Sequence, residues 1–269
     1  MNRRNFIKLS SATLLFTACQ TEYSPYQVNK DKTLYNVKAI EGLVASNLTY
    51  PLKIALISDT HDYFSDFNTV VKNINAHTPK FDFVLHGGDI TDVGIEKEFE
   101  LYKKISDRLA MPIVTVSGNH DAISNGIYVY HNSYGPSEYS YKIAQTHFIC
   151  LNTNTWEFGF KELDLDWLEE ELQKASSEIA TEGGNIIVMH HIPHDDEERF
   201  SEEEIARYKG LMGKYAVSLS INGHNHGYEV EKFNGVQYIT IGSVSKKSYV
   251  ALTINDATRE NYVFEKIDV

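Results

Sequence analysis

The chain has 269 residues, of which 42% are hydrophobic, and a formal net charge of −12 at pH 7. That content suits one large domain with its own core, and the acidic balance argues against a nucleic acid polymer as partner, because polyphosphate would be repelled. It leaves room for a small anionic ligand held through bound cations, which reverse the local field. The two cysteines, Cys19 and Cys150, support neither a disulfide framework nor a cysteine zinc cluster.

Residues 1–19, MNRRNFIKLSSATLLFTAC, read as an address. Arg3, Arg4 and Lys8 make a basic start, Leu9–Ala18 a short apolar stretch, and small residues precede Cys19. The stretch is shorter than the ~20 apolar residues that a membrane-spanning helix needs. "RRNFIK" resembles a twin-arginine export signal, and "LFTAC" resembles a lipobox whose cysteine is acylated, with Phe16 where the motif usually has Leu. The expectation is an exported periplasmic or cell-envelope lipoprotein attached to a membrane through Cys19. Cys150, in "THFICLN", then has no partner and reads as a buried strand residue. Residues 20–49 are polar with weak periodicity and are expected to form a tether that ends at most in one short strand. The folded domain is expected over 50–269.

From Leu52 the pattern becomes regular. "LKIALIS" reads as a buried strand, Asp66–His77 as a helix, "FDFVLHGG" as a strand, 95–109 as an amphipathic helix and "PIVTVSG" as a third strand. Alternation of this kind predicts βαβ units around a partly parallel sheet. "EYSYKIAQTHFICLNT" predicts two strands about a turn near Ala144–Gln145, followed by the helix "LDLDWLEEELQKAS" and the strand "NIIVMH". "RFSEEEIARY" carries a helix start: Ser201 as N-cap, Glu204 completing a capping box, Phe200 and Ile205 as hydrophobic staple. The acids from Asp195 to Glu204 are therefore a solvated loop and a first helical turn, where negative charge is favoured. Strands "VSLSIN", "VQYITIGS", "SYVALTI" and "NYVFEKI" close the chain.

The polar residues fall at the strand ends. "LISDTHD" delivers Asp59 and His61, spaced so that an extended segment would project both to one side. "VLHGGD" delivers Asp89 behind two glycines, "VSGNHD" delivers Asn119, His120 and Asp121, "VMHHIP" delivers His190 and His191, and "INGHNHG" delivers His224 and His226. In open α/β sheets, ligands gather at the carboxyl ends of the strands, so these groups predict one assembled polar site.

Taken in order, Asp-x-His, Gly-Asp, Gly-Asn-His-Asp, His and Gly-His-x-His resemble the calcineurin-like metallophosphoesterases, a binuclear phosphoesterase superfamily, over about residues 50–245. The resemblance implies an α/β fold, a four-layer α/β/β/α sandwich with the metal site at the C-terminal ends of its strands. It implies that Asp59, His61 and His226 hold one metal, that Asn119, His190 and His224 hold the other, and that Asp89 bridges them. Such imidazole, carboxylate and amide donors suit Mn, Fe, Zn or Co. Two ions of this kind clamp a phosphoryl group and acidify a bridging water, whose hydroxide attacks phosphorus. His120 would face the substrate and assist the leaving group, with Asp121 orienting it.

The remaining histidines carry blander readings: His86 in the core behind the site, His147 inside a strand, His77 at a helix end, His131 in a loop, His191 beside the site, and His194 beyond the proline, facing solvent with Asp195 and Asp196. In purple acid phosphatases a metal-binding tyrosine stands three residues after the bridging Asp. Here that residue is Asp92, so no tyrosinate–iron centre is expected, and Asp92 is assigned to local loop bonds. The expected function is an exported hydrolase of a small phosphorylated substrate, a phosphomono- or diester. The alternative is a non-catalytic surface lipoprotein that keeps the fold as a scaffold.

Overall fold

The computed structural model describes residues 24, 26–159 and 161–269. The export signal and Cys19 lie outside the described residues, within which no helix is long and apolar enough to cross a membrane.

The chain runs α1 (Tyr35–Ala45), β1 (Leu52–Ile57), α2 (Phe64–Ala76), β2 (Phe83–His86), α3 (Glu96–Ser106), β3 (Ile113–Thr115), α4 (Gly126–Ser133), β4 (Tyr139–Ile143), β5 (Thr146–Cys150), α5 (Leu165–Glu182), β6 (Asn185–Met189), α6 (Glu202–Lys214), β7 (Leu219–Asn222), β8 (Glu229–Phe233), β9 (Val236–Thr240), β10 (Ser248–Ile254) and β11 (Tyr262–Asp268). One sheet has the order β11-β10-β1-β2-β3 and the other β4-β5-β6-β7-β9-β8. Within them β1, β2 and β3 are parallel, as are β5, β6, β7 and β9.

Side-chain alternation along the strands builds the layers. Ile54 and Leu56 of β1, Phe83 and Leu85 of β2, Ile187 and Met189 of β6, and Leu219 and Ile221 of β7 share one core between the sheets. The opposite parity on the first sheet, Ala55, Ile57 and Val84, packs beneath α2, α3 and α4. On the second, Ile186 and Val188 pack beneath α5 and α6. The result is the α/β/β/α sandwich. Each fully buried Leu or Ile contributes roughly 1.5–3 kcal/mol of transfer free energy. The Ser201–Glu204 capping box starts α6 as its sequence predicts.

Three elements depart from expectation. The segment read as a tether contains the 11-residue helix α1. Its Asn36 donates from Nδ2 to the Thr115 carbonyl (2.7 Å) and accepts from the Thr115 N–H (3.0 Å). That amide supplies hydrogen bonds to the edge strand β3, whose unpaired backbone groups need cover, and Leu43 reaches the inter-sheet core. Tertiary contacts hold this helix where its own pattern is weak. His131 lies on helix α4 rather than in a loop, and its Nε2 meets Ser137 Oγ at 2.9 Å. Strand β8 (EVEKF) also falls outside the sequence reading.

Candidate metal centre

The loops after β1, β2, β3, β6 and β7 meet at one end of the sandwich. Asp59 N–H donates to the Gly88 carbonyl (3.0 Å), while Thr60 and His61 N–H both donate to the Asp89 carbonyl (2.8 and 3.1 Å). These bonds fasten the β1 loop to the β2 loop. Asp59, His61, Asp89, His224 and His226 all have left-handed backbone, with φ between 44° and 74°. For residues with a Cβ this conformation costs on the order of 1–3 kcal/mol each, and it survives where the surroundings over-determine it. Asp59 and His61 thus converge through kinked backbone and not, as expected, from an extended segment. Close approach matters too. A Cβ on Gly118 would overlap the Asp89 carboxylate, so only glycine lets the β3 loop lie against it.

Three overlapping groups have donor atoms within 4.8 Å of one another: Asp59, His61 and His226; His61, Asp89 and His120; Asp89, His191 and His224. In the first half of the cluster, His61 Nε2 and His226 Nε2 are 3.1 Å apart and Asp59 Oδ1 is 3.5 Å from His226 Nε2. In the other half, His191 Nε2 stands 3.1 Å from both Asp89 Oδ2 and Asn119 Oδ1. Asp89 Oδ2 also lies 3.5 Å from His61 Nε2, so this one oxygen sits between the halves.

This arrangement fits metal ions. His191 Nδ1–H donates to the Gly87 carbonyl (2.7 Å), which orients the ring so that Nε2 faces a carboxylate oxygen and an amide oxygen. In the neutral ring Nε2 is itself an acceptor, and three converging acceptors are satisfied by a metal ion or, without one, by a proton on that nitrogen. The titration behaviour agrees. Burial alone would lower His191, but Asp89 and Asp59 bring it up to about 9. Burial would raise Asp89, yet His191, with help from His120 and His61, holds it below the usual carboxylate range. Asp59 is pushed up to about 7 by burial and by Asp89, against the pull of His191. A proton on His191 does electrostatically what a bound cation would do.

His190, expected in the cluster, is not there. Its N–H donates to the Ile221 carbonyl (3.0 Å), continuing the β6–β7 ladder. The alternation of β6 therefore carries through, and His190 follows Ile186 and Val188 to the helix-covered face. There its Nδ1 meets the Ile192 carbonyl (2.8 Å), its Nε2 meets Ser220 Oγ (3.3 Å), and its ring lies edge-on to Tyr208. His191 follows Ile187 and Met189 inward and takes the place that expectation gave His190. His194 does not face solvent as expected: it is buried between the rings of Tyr208 and Tyr238, away from the cluster.

Asp121 is likewise corrected. Its buried carboxylate accepts from the N–H of Thr91 (2.9 Å), Ile90 (3.2 Å) and Gly118 (2.9 Å), and from Thr91 Oγ1 (2.8 Å). It ties the β2 loop to the β3 loop and does not orient His120. That task falls to Asp92. His120 Nδ1 donates to the Asp92 carbonyl oxygen (2.6 Å), which leaves Nε2 as the atom able to deliver a proton. The Asp92 carboxylate also lies 3.5 Å from His61 Nδ1. His86 stays behind the site, bonded through Nε2 to Thr60 Oγ1 (2.7 Å), and burial lowers it to about 3.

Fold and cluster together suit a metal-dependent phosphoesterase, and the sequence comparison agrees. The chain belongs to the calcineurin-like phosphoesterase family, whose profile matches residues 52–228. It is 25% identical over 250 residues to a probable glycerophosphodiester phosphodiesterase of Arcobacter nitrofigilis, covering 79% of this chain and 85% of that one. It is also 25% identical over 213 residues to a 3',5'-cyclic-nucleotide phosphodiesterase of a Nostoc species, covering 72% of this chain and 78% of that one. The purple acid phosphatase PPD1 of yellow lupin shares the fold, with a TM-score of 0.61 at 14% identity, over 82% of this chain and 52% of that one. The protein is a metal-dependent phosphoester hydrolase.

Proposed function

We propose that the protein hydrolyses a small phosphodiester at a two-metal centre outside the cytoplasm. What carries the reading is the position of Asp89 Oδ2 between His61 Nε2 and His191 Nε2, at 3.5 and 3.1 Å. Asp59, His61 and His226 would hold one ion, and Asn119, His191 and His224 the other, with Asp89 shared. When bound, such ions polarise a phosphoryl oxygen and lower the pKa of a coordinated water toward ~7. Asp89 would screen the mutual repulsion of two cations held there in a poorly solvated cleft. His120, aimed by its Nδ1–H bond to Asp92, gives a proton from Nε2 to the departing alkoxide. Asp121 acts indirectly, by holding Gly118 and the β2 loop in register.

Two observations favour a diester. Both curated relatives are named as phosphodiesterases. Arg199, whose N–H meets the Asp196 carbonyl (3.1 Å) near His224, has its Nη1 held by both Glu157 oxygens (2.9 and 3.0 Å) and is not free to clamp a terminal dianion. Export rests on the basic–apolar–cysteine pattern of residues 1–19. With Mn²⁺, purified protein is expected to cleave bis(4-nitrophenyl) phosphate with higher kcat/KM than 4-nitrophenyl phosphate, and to lose both activities in chelator. A preference for the monoester would overturn the diester assignment, and turnover of neither across a metal panel would overturn the enzymatic one.

A further inference from the structure

The turn Val244–Lys246 is fastened to the cluster from both sides. Val244 N–H donates to the Ser58 carbonyl (3.0 Å), Ser243 Oγ to the Asp59 carbonyl (2.9 Å), and Ser243 N–H to the His226 carbonyl (3.3 Å). Lys246 N–H closes the turn on the Ser243 carbonyl at 3.0 Å. Lys246 thus hangs from backbone bonded directly to Asp59 and His226, two members of one metal-competent group.

The charges around it set Lys246 apart. Next along the chain, Lys247 lies 3.5 Å from Asp66. Arg199, bonded through its N–H to the Asp196 carbonyl (3.1 Å) near His224, has its Nη1 held by both Glu157 oxygens (2.9 and 3.0 Å) and its guanidinium stacked on Trp156. Lys246 is exposed and, among the described residues, has no acidic partner within 4.0 Å. In a chain of net charge −12, an unpaired ammonium beside the centre creates a local landing point for an anion.

Resting on the phosphoesterase reading above, we propose that Lys246 is a substrate-binding residue that pairs with an anionic oxygen of the phosphoester on the His226 side of the centre. The pair is solvent-exposed, so its effect falls on binding and on salt dependence more than on the chemical step. In Lys246→Gln, loaded with Mn²⁺, KM for bis(4-nitrophenyl) phosphate is expected to rise about three- to fivefold with kcat nearly constant, the scale of one exposed ion pair. The inhibition constant of inorganic phosphate should rise in parallel, the fall of kcat/KM with added salt should flatten, and Lys246→Arg should restore all three. Metal content and thermal midpoint, measured alongside, should match the wild type. Unchanged KM, phosphate inhibition and salt dependence in Lys246→Gln, or a fall in kcat alone, would overturn this inference. An inactive wild type would instead overturn the phosphoesterase reading on which it rests.

Discussion

At the end of β6 two adjacent histidines lie on opposite faces of one sheet. His191 points between the sheets, where Asp89 and Asn119 each come within 3.1 Å of its Nε2. His190 points under α6, where Ser220 and the Ile192 carbonyl meet it and burial pushes it down to about 3. Both are fully buried. Burial is therefore not what separates a candidate ligand from a core residue here. The charge waiting on the facing side is: carboxylates for His191, a hydroxyl and a carbonyl for His190.

Replacing the two residues in turn separates their roles, and the largest effect belongs to the inner face. His191→Ala is expected to lower bound metal below two per chain and turnover by about a thousandfold or more, since a ligand and an ordered neutraliser of Asp89 are both lost. His190→Ala, assayed by metal analysis on the same preparation, should keep its metal. If instead His190→Ala empties the site, the parity argument is wrong.

His120→Ala should retain both ions and slow alkyl esters by about a hundredfold or more, the scale of general acid catalysis, with little effect on nitrophenyl esters whose leaving groups need no proton. Equal losses on both ester classes would remove the general-acid role.

The titration of the inner face gives a pH dependence of intermediate size. With no metal bound, Asp89 and Asp59 bring buried His191 up to about 9, and burial with Asp89 pushes Asp59 up to about 7. Both groups hold protons below their values, and metal must displace them. Affinity for Mn²⁺ should therefore rise with pH, by up to about tenfold per unit for each proton displaced, steeper below about 7 than between about 7 and 9. Competition titrations against a chelator of known affinity would show this, and an affinity flat with pH would contradict it.

The smallest effects belong to the supports. His190→Ala and Asp121→Ala should each lower stability by roughly 1–3 kcal/mol in denaturant unfolding, because buried hydrogen-bonding groups lose their partners. Asp121→Ala should also reduce activity, through Gly118 and the β2 loop. Full activity in a destabilised Asp121→Ala would leave it a purely structural residue.

Much of this was legible from the residues. Strand and helix alternation, the α6 capping box and the order of polar strand ends all rest on local patterns that the structure keeps. His190 and His191 were not separable, because β6 reads Asn-Ile-Ile-Val-Met, apolar on both faces, and a strand buried on both faces shows no period to assign parity. Helix α1 stayed hidden because Asn36 binds the β3 edge from 79 residues away, and β8 because every residue in it is exposed. Asp121 and Asp92 exchanged roles for a similar reason. His120 is gripped by a backbone carbonyl, and sequence carries no mark of which carbonyl faces a ring.

The most direct test is an anomalous-scattering map of Mn²⁺-soaked crystals. Two peaks are expected, one among Asp59, His61 and His226 and one among Asn119, His191 and His224, with Asp89 between them. A single peak, or a peak coordinated by His190 with His191 unbound, would contradict that arrangement.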